Sequence, residues 1–169
     1  MAGNKYIALV AGVFTEIFGI QTSAGAGDAG KLPALDSTGR LDTTMMPVGI
    51  GADTAIIVAS EALAAGNFVN IWSNAGTPSV RKADATTAGK EAHGFVLSAV
   101  SSAANATVYF EGTNTQVTGQ VAGKVYLQIT AGTGGATIPS VSGNVVQEIG
   151  FATSATTINF QSQLPVTLG

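Results

Sequence analysis

The sequence predicts an all-β fold: a β-sandwich or small, jelly-roll-like β-barrel, preceded by an extended N-terminal arm with short strands. Short runs of β-branched and aromatic residues recur through the later part of the chain. Turn signals separate these runs about every 8 to 15 residues, a spacing typical of sandwiches and barrels. The only helix candidate, residues 60–65, is ended by Gly66 after little more than one turn.

The first element is a pair of short strands within residues 4–20. Apolar residues fill successive positions from Tyr6 to Val10, which makes both faces of an extended strand apolar, and Ala11 and Gly12 provide a turn. Periodicity alone also leaves a helix open here. The glycines in the segment argue against that alternative.

An irregular segment follows over residues 21–53, where glycines and prolines prevent a long regular element. Asp36 to Gly39 is a turn signal, because an aspartate can accept hydrogen bonds from the backbone ahead of it. Apolar side chains recur along the segment, although exposure to water gains them nothing. We therefore expect an ordered arm lying on another surface, or packed back on its own β-domain, through Leu32, Leu35, Leu41, Met45 and Met46. The predicted boundaries are 1–53 for the arm and 54–169 for the β-domain.

The clearest strands of the β-domain are those richest in β-branched and aromatic residues. They cover residues 55–59, 68–72, 79–82, 93–100, 106–110, 124–129, 145–152 and 157–160. In the second of them, Phe68 and Trp72 share one face while Val69 and Ile71 share the other. One face is expected in the core, and the other is a candidate interface.

Charged residues make up only 10% of the chain, against roughly 25% in soluble domains. A surface so poor in charge indicates that other subunits cover much of it. The net charge is −3 and the seven Lys and Arg residues are scattered, so no nucleic-acid partner is expected. The apolar run 6–14 is shorter than the roughly 20 residues that span a bilayer, and Glu16 argues against a cleaved signal. No membrane partner is expected.

No catalytic, cofactor-binding or metal site is predicted, and the chain is expected not to be an enzyme. Residues 25–30 match G-x-G-x-x-G, but Pro33 follows where a dinucleotide site needs a helix. His93 is the only histidine, and the simpler interpretation of it and of Glu91 is a strand edge. There is no cysteine, and the carboxylates form no calcium-type grouping.

Two stretches resemble structural proteins of tailed bacteriophages. Residues 26–36, continuing through 39–42 to 45–47, are similar to a motif that recurs in such proteins and also precedes tail-fibre domains. A second stretch looks like the β-domain of phage head decoration, cement or head-fibre proteins, and comprises residues 64, 66–70, 80–84, 89–90, 93–97 and 106–112.

The resemblance implies a non-enzymatic structural protein, assembled in the host cytoplasm and located on the virion, where it decorates the outer capsid and stabilises contacts between capsomers. Its partners would be the major capsid protein and further copies of itself, as a trimer rather than a dimer. The five arm residues would contact the capsid or a sister subunit. The alternative is a tail-fibre or head-fibre protein whose β-domain binds a host receptor or glycan, although no repeats or coiled-coil shaft are present. A small glycan-binding or depolymerising domain is a third possibility.

Overall fold

The computed structural model describes residues 4–47 and 51–169, and the chain divides into two compact units, Met1–Gly51 and Ala52–Gly169. The all-β prediction is confirmed. Strands make up 41% of the structure, and no helix of seven or more residues occurs in the two described ranges.

The N-terminal unit begins with an antiparallel hairpin of β1 (Lys5–Val10) and β2 (Val13–Phe18). Its two turn residues, Ala11 and Gly12, both have positive φ angles, 50° and 84°. Positive φ at both positions is what a two-residue type I′ turn requires, and the twist of this turn matches that of the strands. The expected strand pair is thus present. The irregular segment after it contains two short 3₁₀ turns, Ala26–Asp28 and Thr43–Met45.

The second unit contains a closed five-stranded barrel with the strand order β3-β5-β4-β6-β7. Parallel pairing of β3 with β5 closes it, whereas the other neighbours are antiparallel. Its strands are β3 (Thr54–Ala59), β4 (Phe68–Asn74), β5 (Thr77–Lys82), β6 (Gly94–Phe95) and β7 (Asn105–Tyr109).

A five-stranded antiparallel sheet accompanies the barrel, in the order β10-β9-β12-β13-β8, and a separate strand pair joins β11 to β14. The strands are β8 (Gly112–Asn114), β9 (Gly123–Leu127), β10 (Gly134–Gly135), β11 (Val145–Val146), β12 (Glu148–Ser154), β13 (Thr157–Phe160) and β14 (Val166–Thr167).

At two places, the helix candidate at 60–65 and the strand predicted over 93–100, tertiary pairing overrides local preference. Residues 60–65 are not helical, since Leu63 is buried and exchanges two backbone hydrogen bonds with Val100, of 2.8 and 2.9 Å. The strand expected over 93–100 ends at Phe95. Beyond it, the Val96 N–H donates to the Asn67 carbonyl at 3.0 Å, so the chain leaves the ladder for a neighbouring loop.

Two hydrophobic clusters form the core, and β4 lies between them. Phe68 belongs to a cluster shared by the barrel and the second sheet, whereas its neighbour Val69 belongs to the cluster inside the barrel. The Phe160 ring from β13 lies 5.7 Å from Phe68 and 5.6 Å from Phe95, measured between ring centroids. The prediction that one face of this strand could be an interface is therefore wrong for the first two residues of the strand, because Phe68 and Val69 point to opposite faces and are both buried in the core.

The strand predicted over 145–152 is interrupted at Gln147, which is buried and takes over the pairing with its side chain. Its Oε1 accepts the Ala92 N–H at 2.8 Å, and its Nε2 donates to the Ala92 carbonyl at 3.0 Å and to Ser162 Oγ at 2.9 Å. A primary amide thus substitutes for one peptide unit of a β-ladder. Every polar atom of this buried side chain is hydrogen-bonded.

We predict that Gln147→Leu lowers the free energy of unfolding of the β-domain by about 1–3 kcal/mol, since it leaves the buried N–H of Ala92 unpaired. The Ala92 carbonyl keeps a donor, because Ser162 Oγ lies 3.1 Å from it. Denaturant unfolding followed by Trp72 fluorescence measures the change. Gln116→Leu, at an exposed position, is the matched control and should shift stability by less than about 0.5 kcal/mol. Equal effects of the two substitutions would contradict the assigned role of Gln147.

Candidate interaction surface of the N-terminal unit

The described part of the N-terminal unit, residues 4–47, has no buried core. Every described residue from 4 to 47 is exposed or half-buried, and the buried hydrophobic residues of the described chain all belong to the β-domain. Burial of apolar surface is the main term that offsets the loss of chain entropy on folding. A two-stranded hairpin without such burial is marginally stable at best. The described residues of this unit therefore lack the apolar burial that stabilises the β-domain.

One face of the hairpin is an exposed apolar surface. The register pairs Leu9 with Phe14 and Lys5 with Phe18, and side chains two positions apart share a face. Ile7, Leu9, Phe14 and Phe18 consequently lie together, with side chains between 64% and 80% exposed. Diagonal neighbours across two strands are within reach of aromatic rings. We call these four residues the hairpin face.

Two charged residues lie on the same side of the hairpin and neutralise one another: Lys5 at its base, and Glu16, which is paired with Ile7 between Phe14 and Phe18. Lys5 forms an ion pair with Glu16, and the Lys5 ammonium lies 4.7 Å from the centroid of the Phe18 ring. Both charged side chains are well exposed, so the pair contributes little to stability. The pair instead leaves this side of the hairpin without net charge.

Aspartate side chains organise the irregular segment in place of a core. Asp36 Oδ1 accepts the backbone N–H groups of Arg40, at 3.0 Å, and Thr38, at 2.8 Å. Asp42 Oδ1 accepts the Thr44 hydroxyl, at 2.7 Å, and the Thr44 N–H, at 2.9 Å, and so caps the second 3₁₀ turn. Hydrogen bonds from Arg40 and Thr38 lower the pKa of Asp36, and those from Thr44 lower the pKa of Asp42.

Backbone bonds attach the first of the predicted arm residues to the hairpin. The Ile20 N–H donates to the Leu32 carbonyl at 3.0 Å, and the Ala34 N–H donates to the Ile20 carbonyl at 2.7 Å. Gln21 Nε2 donates to the Leu35 carbonyl at 2.8 Å. These bonds fix the backbone of the segment and leave the side chains of Leu32 and Leu35 about half exposed, at 50% and 53%.

The remaining predicted residues surround the second 3₁₀ turn. Leu41 and Met46 are exposed and Met45 is half-buried. The Ser23 N–H donates to Thr44 Oγ1 at 2.8 Å and ties this turn to the start of the segment. Contact of the five arm residues with a capsid or sister subunit stays a prediction.

The sequence prediction did not include the hairpin face among the interface residues. The sequence did contain a signal for it. A strand with only one covered face alternates apolar and polar residues, whereas β1 is apolar on both faces. The two-residue turn sets the register, and the register assigns Phe14 and Phe18 to the same face as Ile7.

The remaining candidate motifs serve local structure. Within residues 25–30, Asp28 organises the turn: its carboxylate accepts the N–H of the preceding Ala24 at 2.7 Å and binds Nζ of the following Lys31 at 2.6 Å. His93 is exposed beside β4, and its Nδ1 accepts the Ile71 N–H at 3.0 Å. Glu91 Oε1 accepts the Gly89 N–H at 2.9 Å.

Within the described residues, no three His, Asp or Glu side chains are grouped as metal ligands. The described part of the chain also has no helix long and apolar enough to cross a membrane. No protein-family model matches the sequence, and no curated protein or solved structure is significantly similar to it.

The lowered pKa values of Asp36 and Asp42 predict how the segment responds to acid. A carboxylate whose pKa is lowered in the folded form stabilises that form at pH values above its ordinary pKa of 3.8. This stabilisation is lost as the pH falls through the pKa of the folded form. We expect the amide resonances of Thr38, Arg40 and Thr44 to titrate in NMR spectra with midpoints below 3.8. Asp36→Asn should abolish the titration at Thr38 and Arg40 and leave that of Thr44. Midpoints at or above 3.8 would show that these bonds do not form.

Proposed function

We propose that this chain is a non-enzymatic structural protein of a tailed-phage particle, which decorates the outer surface of the capsid and stabilises contacts between capsomers. The observation that carries the proposal is the N-terminal unit, whose described residues include no buried side chain and whose hairpin face is apolar. The sequence resemblance to phage decoration and head-fibre proteins supports the same function.

The hairpin face alone is too small to anchor the protein. Two strands of six residues cover on the order of 200 Å², from about 3.3 Å per residue and a strand spacing of about 4.8 Å. A standard interface buries about 800 Å² on each partner. The half-exposed apolar residues of the irregular segment therefore belong to the proposed contact: Leu32, Leu35, Leu41 and Met46, with Met45 beside them.

The proposed partners are the major capsid protein and further copies of this chain. A ligand that binds only the assembled shell stabilises it by mass action. A trimer would add avidity, because the second and third copies bind at high effective concentration. The low content of charged residues, 10%, limits repulsion between neighbouring copies. The proposal involves no nucleic acid, membrane, cofactor or metal.

The second candidate function is that of a fibre protein whose β-domain binds a host receptor or glycan. A small polar pocket on the barrel favours it and is described below. The two candidates share the attachment role of the N-terminal unit and differ in what the β-domain does.

Adding the purified full-length chain to undecorated phage heads tests the proposal. We expect the protein to sediment with the heads and to raise the temperature at which they rupture. Phe14→Glu places a charge on the hairpin face and should weaken binding at least about tenfold, in proportion to the lost apolar contact and the buried charge. Thr15→Glu, exposed on the opposite face of β2, is the matched control and should bind like the unmodified protein.

Circular dichroism melting of both variants checks that the β-domain remains folded. Absence of co-sedimentation by the unmodified chain would refute the decoration function. Equal binding by the two variants would move the attachment site away from the hairpin face.

A further inference from the structure

The outward face of β7 carries a row of uncharged polar side chains. Ala106 and Val108 are fully buried inside the barrel, so Asn105, Thr107 and Tyr109 point to the opposite side of the strand. The row has a polar amide, a hydroxyl and a phenol spaced two residues apart.

Residues 97–100 lie across this row and complete a pocket of about 230 Å³ with Asn105, Thr107 and Tyr109. Leu97 and Val100 add apolar surface, and Ser98 adds a further hydroxyl. The volume is below the roughly 300–1,000 Å³ of sites that take drug-sized ligands. A pocket of this size suits one small ring rather than a chain of them.

The wall of the pocket is held in position by core packing. The Tyr109 ring is stacked on the buried Phe95 ring, with centroids 5.4 Å apart and an interplanar angle of 21°. β6 approaches β7 so closely at Gly94 that a Cβ there would lie 2.6 Å from the Tyr109 carbonyl oxygen. The aromatic ring is therefore preorganised, which removes an entropic cost of binding.

The polar groups of the pocket are available to a ligand. The side chains of Ser98, Asn105, Thr107 and Tyr109 make no hydrogen bond to another residue in the described ranges. Amides and hydroxyls both donate and accept hydrogen bonds, as the hydroxyl groups of a sugar also do. No charged side chain lines the pocket, so neither an anion nor a cation would find a counter-charge.

We propose that this pocket binds a single neutral pyranose unit of a glycan. The sugar hydroxyls would exchange hydrogen bonds with Asn105, Thr107 and Ser98, and the C–H face of the ring would lie against Tyr109 and Leu97. The inference deepens the second candidate function, a β-domain that binds a receptor or glycan, and does not depend on the capsid attachment proposed above.

NMR titration of the ¹⁵N-labelled full-length chain tests this site, with the methyl glycosides of glucose, galactose, mannose and N-acetylglucosamine as probes. We expect at least one of them to shift the amide resonances of residues 97–100 and 105–109. The expected dissociation constant is on the order of 1 mM, because one ring offers few contacts. Inorganic phosphate should leave these resonances unchanged.

Thr107→Val keeps the shape of the side chain and removes its hydroxyl, and we expect it to weaken binding about 5- to 10-fold. Thr113→Val, at an exposed position on β8, is the matched control and should leave binding unchanged. The proposal is overturned if none of the glycosides shifts these resonances, if phosphate shifts them equally, or if Thr107→Val and Thr113→Val bind alike. Because heads are absent from this experiment, its failure leaves the attachment function standing.

Discussion

Removal of apolar side chains from water is the dominant favourable contribution to folding, and in the described chain full burial is confined to the β-domain. The rings of Phe68, Phe95 and Phe160 connect the barrel to the second sheet in one cluster. Residues 4–47 of the N-terminal unit are held by a hairpin, turns, ion pairs, and backbone and side-chain hydrogen bonds, each of which contributes about 1 kcal/mol or less in water. The unequal distribution of burial is the basis of the proposed division of roles, in which the β-domain supplies its own core and the N-terminal unit is covered by a partner.

The core of the β-domain contains few large side chains, and it is compact because the backbones of neighbouring strands approach one another closely. Gly94 lets β6 lie against β7, and the small residues Ala83, Ala85 and Ala92 fill the space beside Phe68. Gln147 completes the pairing where the strand is interrupted. The same close approach holds Tyr109 against Phe95, so core packing and the proposed glycan pocket have a common structural basis.

Much of the fold could be predicted from local signals. The hairpin was recognisable from the apolar run before Ala11 and Gly12, and the strand at Thr157–Phe160 was predicted with its observed limits. The strand at Gly134–Gly135 was missed because glycines signal a turn, and only pairing with Tyr126 and Leu127 makes them extended. Closure of the barrel depends on parallel pairing of Val58 with Ser79, which no local pattern encodes.

The candidate surfaces also differ in whether local sequence or tertiary structure reveals them. Apolar residues in a segment rich in glycine and proline predict the arm contacts from Leu32 to Met46, because such side chains gain nothing from exposure to water. The hairpin face required the register of two strands. The pocket beside Tyr109 required the path of residues 97–100 across β7, and this is set by the bonds between Leu63 and Val100.

Hydrogen–deuterium exchange tests most directly whether the N-terminal unit depends on a partner for its order. In the free chain, at a concentration where light scattering shows a monomer, the amides of β1 and β2 should exchange at nearly unprotected rates, whereas those of β4 and β9 exchange slowly. On phage heads, protection of the hairpin amides should rise by about 100-fold or more. Hairpin amides as strongly protected in the free monomer as those of β4 would contradict the account.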